Sequence, residues 1–392
     1  MKKDEIKKEL TTLRPSRSEK TFKPLIDQED WENHWWGMPE FQMKNTTPQY
    51  RMTLNFMTKE DMEKFREHTG LRVTTTTQTV WYPEQPNIQP GKYCYKGPKT
   101  DSKYPVCIPS KGRAKNQRTG KILDRLGVSY KFFVEETEYD EYVEELGKDK
   151  VVKLPFHDLG KGSVPARNYI WKWCKKKGYK RHWTLDDNIR GFGRTNFNRR
   201  LMCWGGEFFK AMEEFVDRYE NIPMAGPHHV GFIPDRDKCA PYLFNSRVYS
   251  CILLDTSLYP KYKWRGKYNE DTDLSLRFLK DGYCTLLFRA LWMMKAPTHT
   301  GGNKKVNPAL KGGNTDNVYN SNDHRLAFAK SLEEQHPDCV KVVWKFKRWH
   351  HQVDYTKFKK NKPILKEGIV PTADNNEYNM TLTKRKKKRR KK

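Results

Sequence analysis

The chain has no apolar run long enough to span a bilayer. Its longest, such as SCILLD from Ser250 to Asp255, are of strand length, whereas a membrane helix needs about 20 apolar residues. The charged start MKKDEIKKEL has no signal-peptide core, so a cytoplasmic protein is expected. No C-x-x-C spacing occurs among the eight cysteines; this argues against metal ribbons and for reduced thiols. Acid is also scarce, 48 Asp and Glu against 76 Lys and Arg. What is not scarce is aromatic side chain: 20 Tyr, 19 Phe and 12 Trp exclude a disordered chain, which would be poor in them.

The net charge is +28, and the nine consecutive basic residues from Lys384 to Lys392 account for only part of it, leaving +19 on the body. A basic run alone is usually a solvated tail. A basic body besides the tail suits a polyanion, and nucleic acid is the leading candidate because phosphate neutralisation releases counterions.

The pattern divides the chain into six stretches. Residues 1–40 are a charged extension containing the cluster WENHWWGMPEF. Residues 41–85 read as a small strand-helix-strand module: alternating YRMTLNF, a helix capped by Thr58 and ended by Gly70, then β-branched LRVTTTTQTVWYP. Pro- and Gly-rich residues 86–103 read as a linker. Over 104–303 short apolar strands alternate with helical patterns, predicting an α/β domain with a mostly parallel sheet flanked by helices. Residues 304–380 form a basic and aromatic segment, and 381–392 a disordered polybasic tail.

Ligands of open α/β sheets bind at the carboxyl ends of strands. Polar clusters follow three predicted strands here. PVCIP leads into Ser110, Lys111, Gly112 and Arg113; KFFV into Glu135 and Glu136; HWTL into Asp186, Asp187 and Asn188. Asp-Asn pairs are common in solvated turns, which is the bland account of LDDN taken alone. Three clusters on one sheet edge fit something more specific: a nucleoside diphosphate with a divalent cation, Mg²⁺ favouring a few carboxylates plus phosphate oxygens.

The order SKGR, VEE, GSVPARN, LDDN and NEDTDLSLRFLKDGYCTLLF resembles the GT-A glycosyltransferases, and within them the phage TET-associated glycosyltransferases, over roughly Tyr104 to Asn303. The resemblance implies a GT-A-like (Rossmann-like) sheet, a nucleotide-sugar donor (a UDP-sugar), and a hydroxymethylated pyrimidine of DNA as acceptor. It implies a phage protein working in the host cytoplasm. Carried over by position, Ser110, Lys111, Arg113, Glu135, Arg167 and Asn168 bind the donor, together with Asp186 and Asp187. Asp186, Asp187 and Asn188 occupy the D-x-D-like metal motif, with His299 of APTHTGGNK completing a Mn²⁺ or Mg²⁺ site. Asn188 departs from the pattern, which usually ends in a carboxylate. In NED, Asp271 is implied as catalytic base with Glu270 beside it. The same residues also read as a helix start: Asn269 as cap, with Glu270, Asp271 and Asp273 at the positive end of the dipole.

The acceptor side rests on weaker signals. His228 and His229 of AGPHHVGFIP suit a pocket wall or an ordinary loop. Arg199 and Arg200 of FNRRLMCWGG are expected near the acidic turn. Lys345, Lys347, Arg348 and Trp349 lie in an alternating basic-aromatic stretch, read as an edge strand that could track phosphates. Two other readings compete: a transferase of the same fold acting on a glycan or protein, and a DNA-binding protein with a degenerate core.

Overall fold

Strands of near-continuous apolar residues must be covered on both faces, and the computed structural model shows how the chain does this. It describes residues 31–43, 50–82, 93–234, 239–266, 268–295, 325–372 and 374–385. In chain order these hold α1 (Lys59–Thr69), β1 (Tyr93–Lys96), β2 (Val106–Pro109), α2 (Arg118–Leu126), β3 (Tyr130–Val134), α3 (Tyr139–Leu146), β4 (Val151–Lys153), α4 (Val164–Lys176), β5 (Arg181–Leu185), β6 (Ile189–Asn196) and β7 (Arg199–Trp204). There follow α5 (Glu207–Asp217), β8 (Met224–His229), β9 (Tyr242–Phe244), β10 (Cys251–Asp255), α6 (Glu270–Lys280), β11 (Thr285–Lys295), α7 (Arg325–Gln335), β12 (Val340–Lys345), β13 (Arg348–Val353) and β14 (Thr381–Lys384).

The large sheet runs β14-β1-β7-β6-β11-β8-β10-β5-β2-β3-β4, with β9 beside β11. Parallel pairing is continuous over β5-β2-β3-β4 and recurs at β8–β11 and β1–β7. The β10 strand pairs antiparallel with both its neighbours. Side chains alternate between faces as the pleat requires. Val106, Ile108, Phe132, Val134 and Leu253 point into a core shared with Leu123 of α2, Tyr142 of α3 and Phe208, Met212 and Phe215 of α5. Cys107 and Phe133 meet Ile170 and Cys174 of α4 on the other face. Ile252 and Leu254 meet Trp171 of α4 and Leu274 and Phe278 of α6. This is the mixed α/β architecture expected. All eight cysteines are free and buried, as expected of reduced thiols. No helix among the described residues is long and apolar enough to cross a membrane.

Outside that frame the structure differs from the expected divisions. Thr58 does cap α1 with a reciprocal Asp61 bond, and Gly70 ends it in a left-handed conformation, but neither flanking segment is a strand. Tyr50 and Met52 are more than four-fifths exposed; β-propensity without a partner ladder leaves backbone groups to water. The stretch expected as a linker supplies β1, which pairs with β7 and β14. Gly206, at the start of α5, leaves room for that passage, since a Cβ there would collide with the carbonyl oxygen of Thr100. The polybasic tail likewise begins inside the sheet as β14, while residues 386–392 lie outside the described residues. The WENHWWGMPEF cluster is not peripheral: Trp35 is buried against Phe215, Tyr242 and Phe288. The expected single edge strand from Lys341 is a hairpin, β12 pairing with β13. Phe346 and Lys347 both take positive φ in its two-residue turn, the geometry that matches strand twist.

Candidate active site

The backbone of the acidic turn is held from two sides. The Thr119 hydroxyl on α2 donates to the Asp186 carbonyl at 2.6 Å and accepts from the Ile189 N–H at 2.9 Å. The Asp186 N–H donates to the Ser250 carbonyl at 2.7 Å. Such anchoring removes the solvated-turn account. Every carboxylate oxygen of the pair is also engaged. Asp186 accepts from Arg167 Nη2 at 2.8 Å on Oδ1 and from Lys295 Nζ at 2.9 Å on Oδ2. Asp187 accepts from the Arg113 guanidinium on Oδ1 and from Ser110 Oγ at 2.7 Å on Oδ2. The two acids are thereby pushed apart in pKa. Burial alone would raise Asp186, but Lys295 and Arg167 outweigh it and hold the carboxyl at about 2. Burial does raise Asp187, with Arg113 opposing.

This turn forms one wall of a cavity of about 390 Å³. Ser110, Lys111, Arg113 and Glu135, from the ends of β2 and β3, line a second wall. Lys111 Nζ lies 2.6 Å from Glu135 Oε2, joining the two clusters. Arg167 of α4 and the start of α6, Glu270 and Asp271, close it. Pro165 in the first turn of α4 sits where a missing N–H costs nothing. Arg167 is 4% exposed, stacks over the Trp264 ring at 4.8 Å, and has its Nη1 buried without a hydrogen-bond partner.

Glu270 and Asp271 face different neighbours. Glu270 Oε1 accepts from Ser163 Oγ at 3.2 Å and lies 3.8 Å from Arg167 Nε. Burial raises its pKa, with Arg167 opposing. Asp271 is on the side of Arg247, whose charge it favours against the effect of burial. Its Oδ1 accepts from the N–H of Thr272 at 2.6 Å, so part of the carboxylate does serve the helix start. Asn269 does not cap: its backbone is left-handed and its amide reaches the Phe328 carbonyl at 2.9 Å. Asp273 is not a dipole partner at the surface. It is 1% exposed and bonded to Arg265, to Arg277 and to His336 Nε2, each within 2.9 Å. Those partners overcome burial and hold it at about 2.

Several expected residues are elsewhere. Asn168 clamps the backbone of Trp264 through two 2.8 Å bonds and does not line the cavity; it fixes the loop before α6. Arg199 and Arg200 lie on β7, and Arg200 donates to the Ile233 carbonyl at 2.7 Å, so neither reaches the acidic turn's cavity. His228 and His229 end β8 as part of the sheet. His228 bonds Tyr249 at 3.1 Å, and burial lowers it to about 3; burial also lowers His229, with Lys295 adding to it. Lys345, Lys347, Arg348 and Trp349 gather at the hairpin tip. His299 lies outside the described residues. Lys295 and Arg247 line the cavity from outside every motif. The only sequence signal for Lys295 is a charge closing the apolar strand CTLLFRALWMMK.

Residues 104–303 match the model of the TET-associated glycosyltransferases, a match that takes in both walls of the cavity. The chain belongs to that family. No curated protein matches this TET-associated glycosyltransferase family member. Among solved structures it is similar to one from Desulfovibrio desulfuricans G20 assigned as a nucleotide-diphospho-sugar transferase, at 11% identity and a TM-score of 0.28, over 48% of this chain and 80% of that one.

The expected divalent cation does not fit the described residues of this family member. No group of three or more His, Cys, Asp or Glu side chains among them is arranged to hold a metal. The four oxygens of Asp186 and Asp187 are engaged by two guanidinium groups, an ammonium and a hydroxyl. A divalent ion bound there would have to displace these donors, three of them cations, from every oxygen of the pair.

Proposed function

We propose that the protein transfers a sugar from a nucleotide-sugar donor, a UDP-sugar, to the hydroxyl of a 5-hydroxymethylated pyrimidine, 5-hydroxymethylcytosine, in phage DNA. The observation that carries this reading is where the hairpin is rooted. His351 of β13 and Tyr355 just beyond it feel the charges of Arg247 and Asp271, so the basic, aromatic hairpin stands beside one end of the cavity. Its tip exposes Trp344, Phe346 and Trp349 at 58%, 85% and 37%, among Lys345, Lys347 and Arg348. Exposed rings between cations suit unstacked bases and phosphates.

The cavity's two ends then divide the reaction. Ser110, Lys111, Arg113, Glu135 and Arg167 bind the donor, Arg groups suiting diphosphate oxygens. At the hairpin end, Asp271 accepts the proton of the acceptor hydroxyl as its oxygen bonds to the anomeric carbon. The bond from that carbon to the phosphate oxygen breaks, and its electron pair leaves with the nucleoside diphosphate. Glu270, held by Ser163 and Arg167 on the donor side, positions rather than accepts. An acceptor base inside a duplex must be extruded or reached through the major groove.

The test is mass spectrometry of nucleosides from DNA incubated with the protein and UDP-sugars. Hydroxymethylated DNA should gain one sugar per modified base, and plain DNA none. Transfer to a glycan or protein with none to DNA would establish the competing acceptor class. DNA binding with no transfer from any donor would establish the degenerate-core reading.

A further inference from the structure

The cations around the acidic turn are built in, and their construction points to a role. Lys295 closes β11 at a register shift between Met294 and Lys295; bulges of this kind re-aim a side chain beside a site. Its Nζ bonds Asp186 and, at 2.8 Å, Ser250 Oγ. Ser250 itself holds φ at +63°, a left-handed conformation that a non-glycine residue keeps only when its surroundings enforce it. Ser250's carbonyl takes the Asp186 N–H, so one strained residue orients both the acid and the ammonium. Across the turn, buried Arg167 lines the cavity while it holds Asp186, and one of its guanidinium nitrogens has no partner. Arg113 stands on Asp187.

We propose that Lys295, Arg167 and Arg113 carry the negative charge of the leaving nucleoside diphosphate in place of a divalent ion, with Asp186 and Asp187 serving as their anchors, so that transfer is metal-independent. This rests on the donor reading above. As the bond between the anomeric carbon and the phosphate oxygen breaks, charge develops on that oxygen. Fixed donors in a water-poor site stabilise such charge without reorganising. Asp186 keeps Lys295 aimed while the nucleotide is absent.

The experiment is calorimetric titration of the full chain with UDP, in excess EDTA and in Mn²⁺, alongside transfer assays under both conditions. UDP should bind and transfer should proceed equally well in EDTA. Lys295→Met, which keeps much of the aliphatic stem, should weaken UDP binding in EDTA by about 10- to 100-fold, the loss of a hydrogen bond to a charged group. It should also lower kcat by roughly 10²- to 10³-fold, as for a lost oxyanion donor. Lys295→Arg should restore part of both. Unchanged melting of each variant keeps these readouts free of folding effects. UDP bound only with Mn²⁺, or transfer abolished by EDTA and restored by Mn²⁺, would overturn the proposal. UDP bound under neither condition would overturn the donor reading itself.

Discussion

The cavity and the hairpin handle positive charge in opposite ways. In the cavity, Lys111, Arg113, Arg167 and Lys295 each lie against a carboxylate. In the hairpin, from Val340 to Val353, the chain has no acid at all; Lys345 donates to Gln352 and Arg348 to His350. Paired, part-buried cations hold fixed positions and are screened little by salt, which suits one small, doubly charged ligand in one pose. Exposed cations with no carboxylate in their own strands suit an extended polyanion and are strongly salt-dependent. The molecule thus separates chemistry from acceptor capture, and changes on one side should leave the other intact.

The largest effect is expected where the two regions meet. Asp271→Asn should keep UDP and DNA affinity but lower kcat by roughly 10²- to 10⁴-fold, the range for a lost general base. The Asn side chain still accepts from the Thr272 N–H, so melting should barely move. Normal kcat in a folded Asp271→Asn variant, or activity that falls only in step with stability, would return Asp271 to the role of helix terminus.

Two residues along, the carboxylate is structural. Asp273→Asn should destabilise the fold by about 3–5 kcal/mol, because it removes a buried carboxylate's charge from part-buried Arg277 and from Arg265 and His336. The sign with pH follows from its depressed pKa of about 2. Wild-type stability from this group is present above the ordinary Asp range and is lost as pH falls from about 4 toward 2. Asp273→Asn should therefore flatten the denaturant midpoint against pH in that window. An equally steep acid limb in the variant would place the sensitivity elsewhere.

The hairpin gives the next effect. Phe346→Ser with Trp344→Ser should raise KM for hydroxymethylated DNA by about 10-fold or more, stacking contributing about 1–3 kcal/mol per base, with kcat at saturation unchanged. Replacing Lys345, Lys347 and Arg348 by Ala should reduce the slope of log KM against log salt by roughly one per phosphate contact removed. A free hydroxymethylated nucleoside should show neither change. Equal losses on nucleoside and DNA would mean that the hairpin supports the cavity's shape rather than the acceptor.

How much of this was legible in the sequence depends on how local the cause is. SKGR, VEE and LDDN are adjacent in space because each follows a strand of one sheet, so strand periodicity and polar endings suffice to bring Ser110, Glu135 and Asp186 together. Gly127 ends α2 in a left-handed conformation, the stop a glycine after a helical pattern signals. What the sequence hides is set by distant partners. Lys295 meets Asp186 across 109 positions, and its aim depends on a bulge and on Ser250's backbone. Asp273 and Asp271 look alike in NEDTD, yet one turns into a pocket made by His336 and the other toward Arg247. β1 and β14 lie in stretches that read as linker and tail because their partners are distant in sequence, β7 and β14 for the one and β1 for the other. YRMTLNF has the same local preference but forms no strand and finds no partner strand among the described residues. Asn168 shows the converse: its neighbour Arg167 reaches the cavity, while a one-residue step around α4 directs the amide to the Trp264 backbone.

The smallest effect lies beneath the acidic turn. His182 is on β5, four residues before Asp186, fully buried, with neither ring nitrogen hydrogen-bonded. Burial pushes its pKa down to about 3. The unfolded chain, with an ordinary His pKa near 6.5, binds a proton that the folded chain refuses. The stability tied to neutral His182 is therefore complete above about 6.5 and is lost as pH falls from there toward 3. His182→Leu removes the titration and two buried polar atoms. Near pH 7.5 the variant should be as stable as the wild type or slightly more so. At pH 5.5 it should lead by a further ~1 kcal/mol, from a limiting slope of 1.36 kcal/mol per pH unit. Chemical denaturation at the two pH values reads the difference directly. A gap that does not widen on acidification would mean that the ring gains a proton inside the fold, and that β5 is less dry beneath the acidic turn than its packing against Trp171 implies.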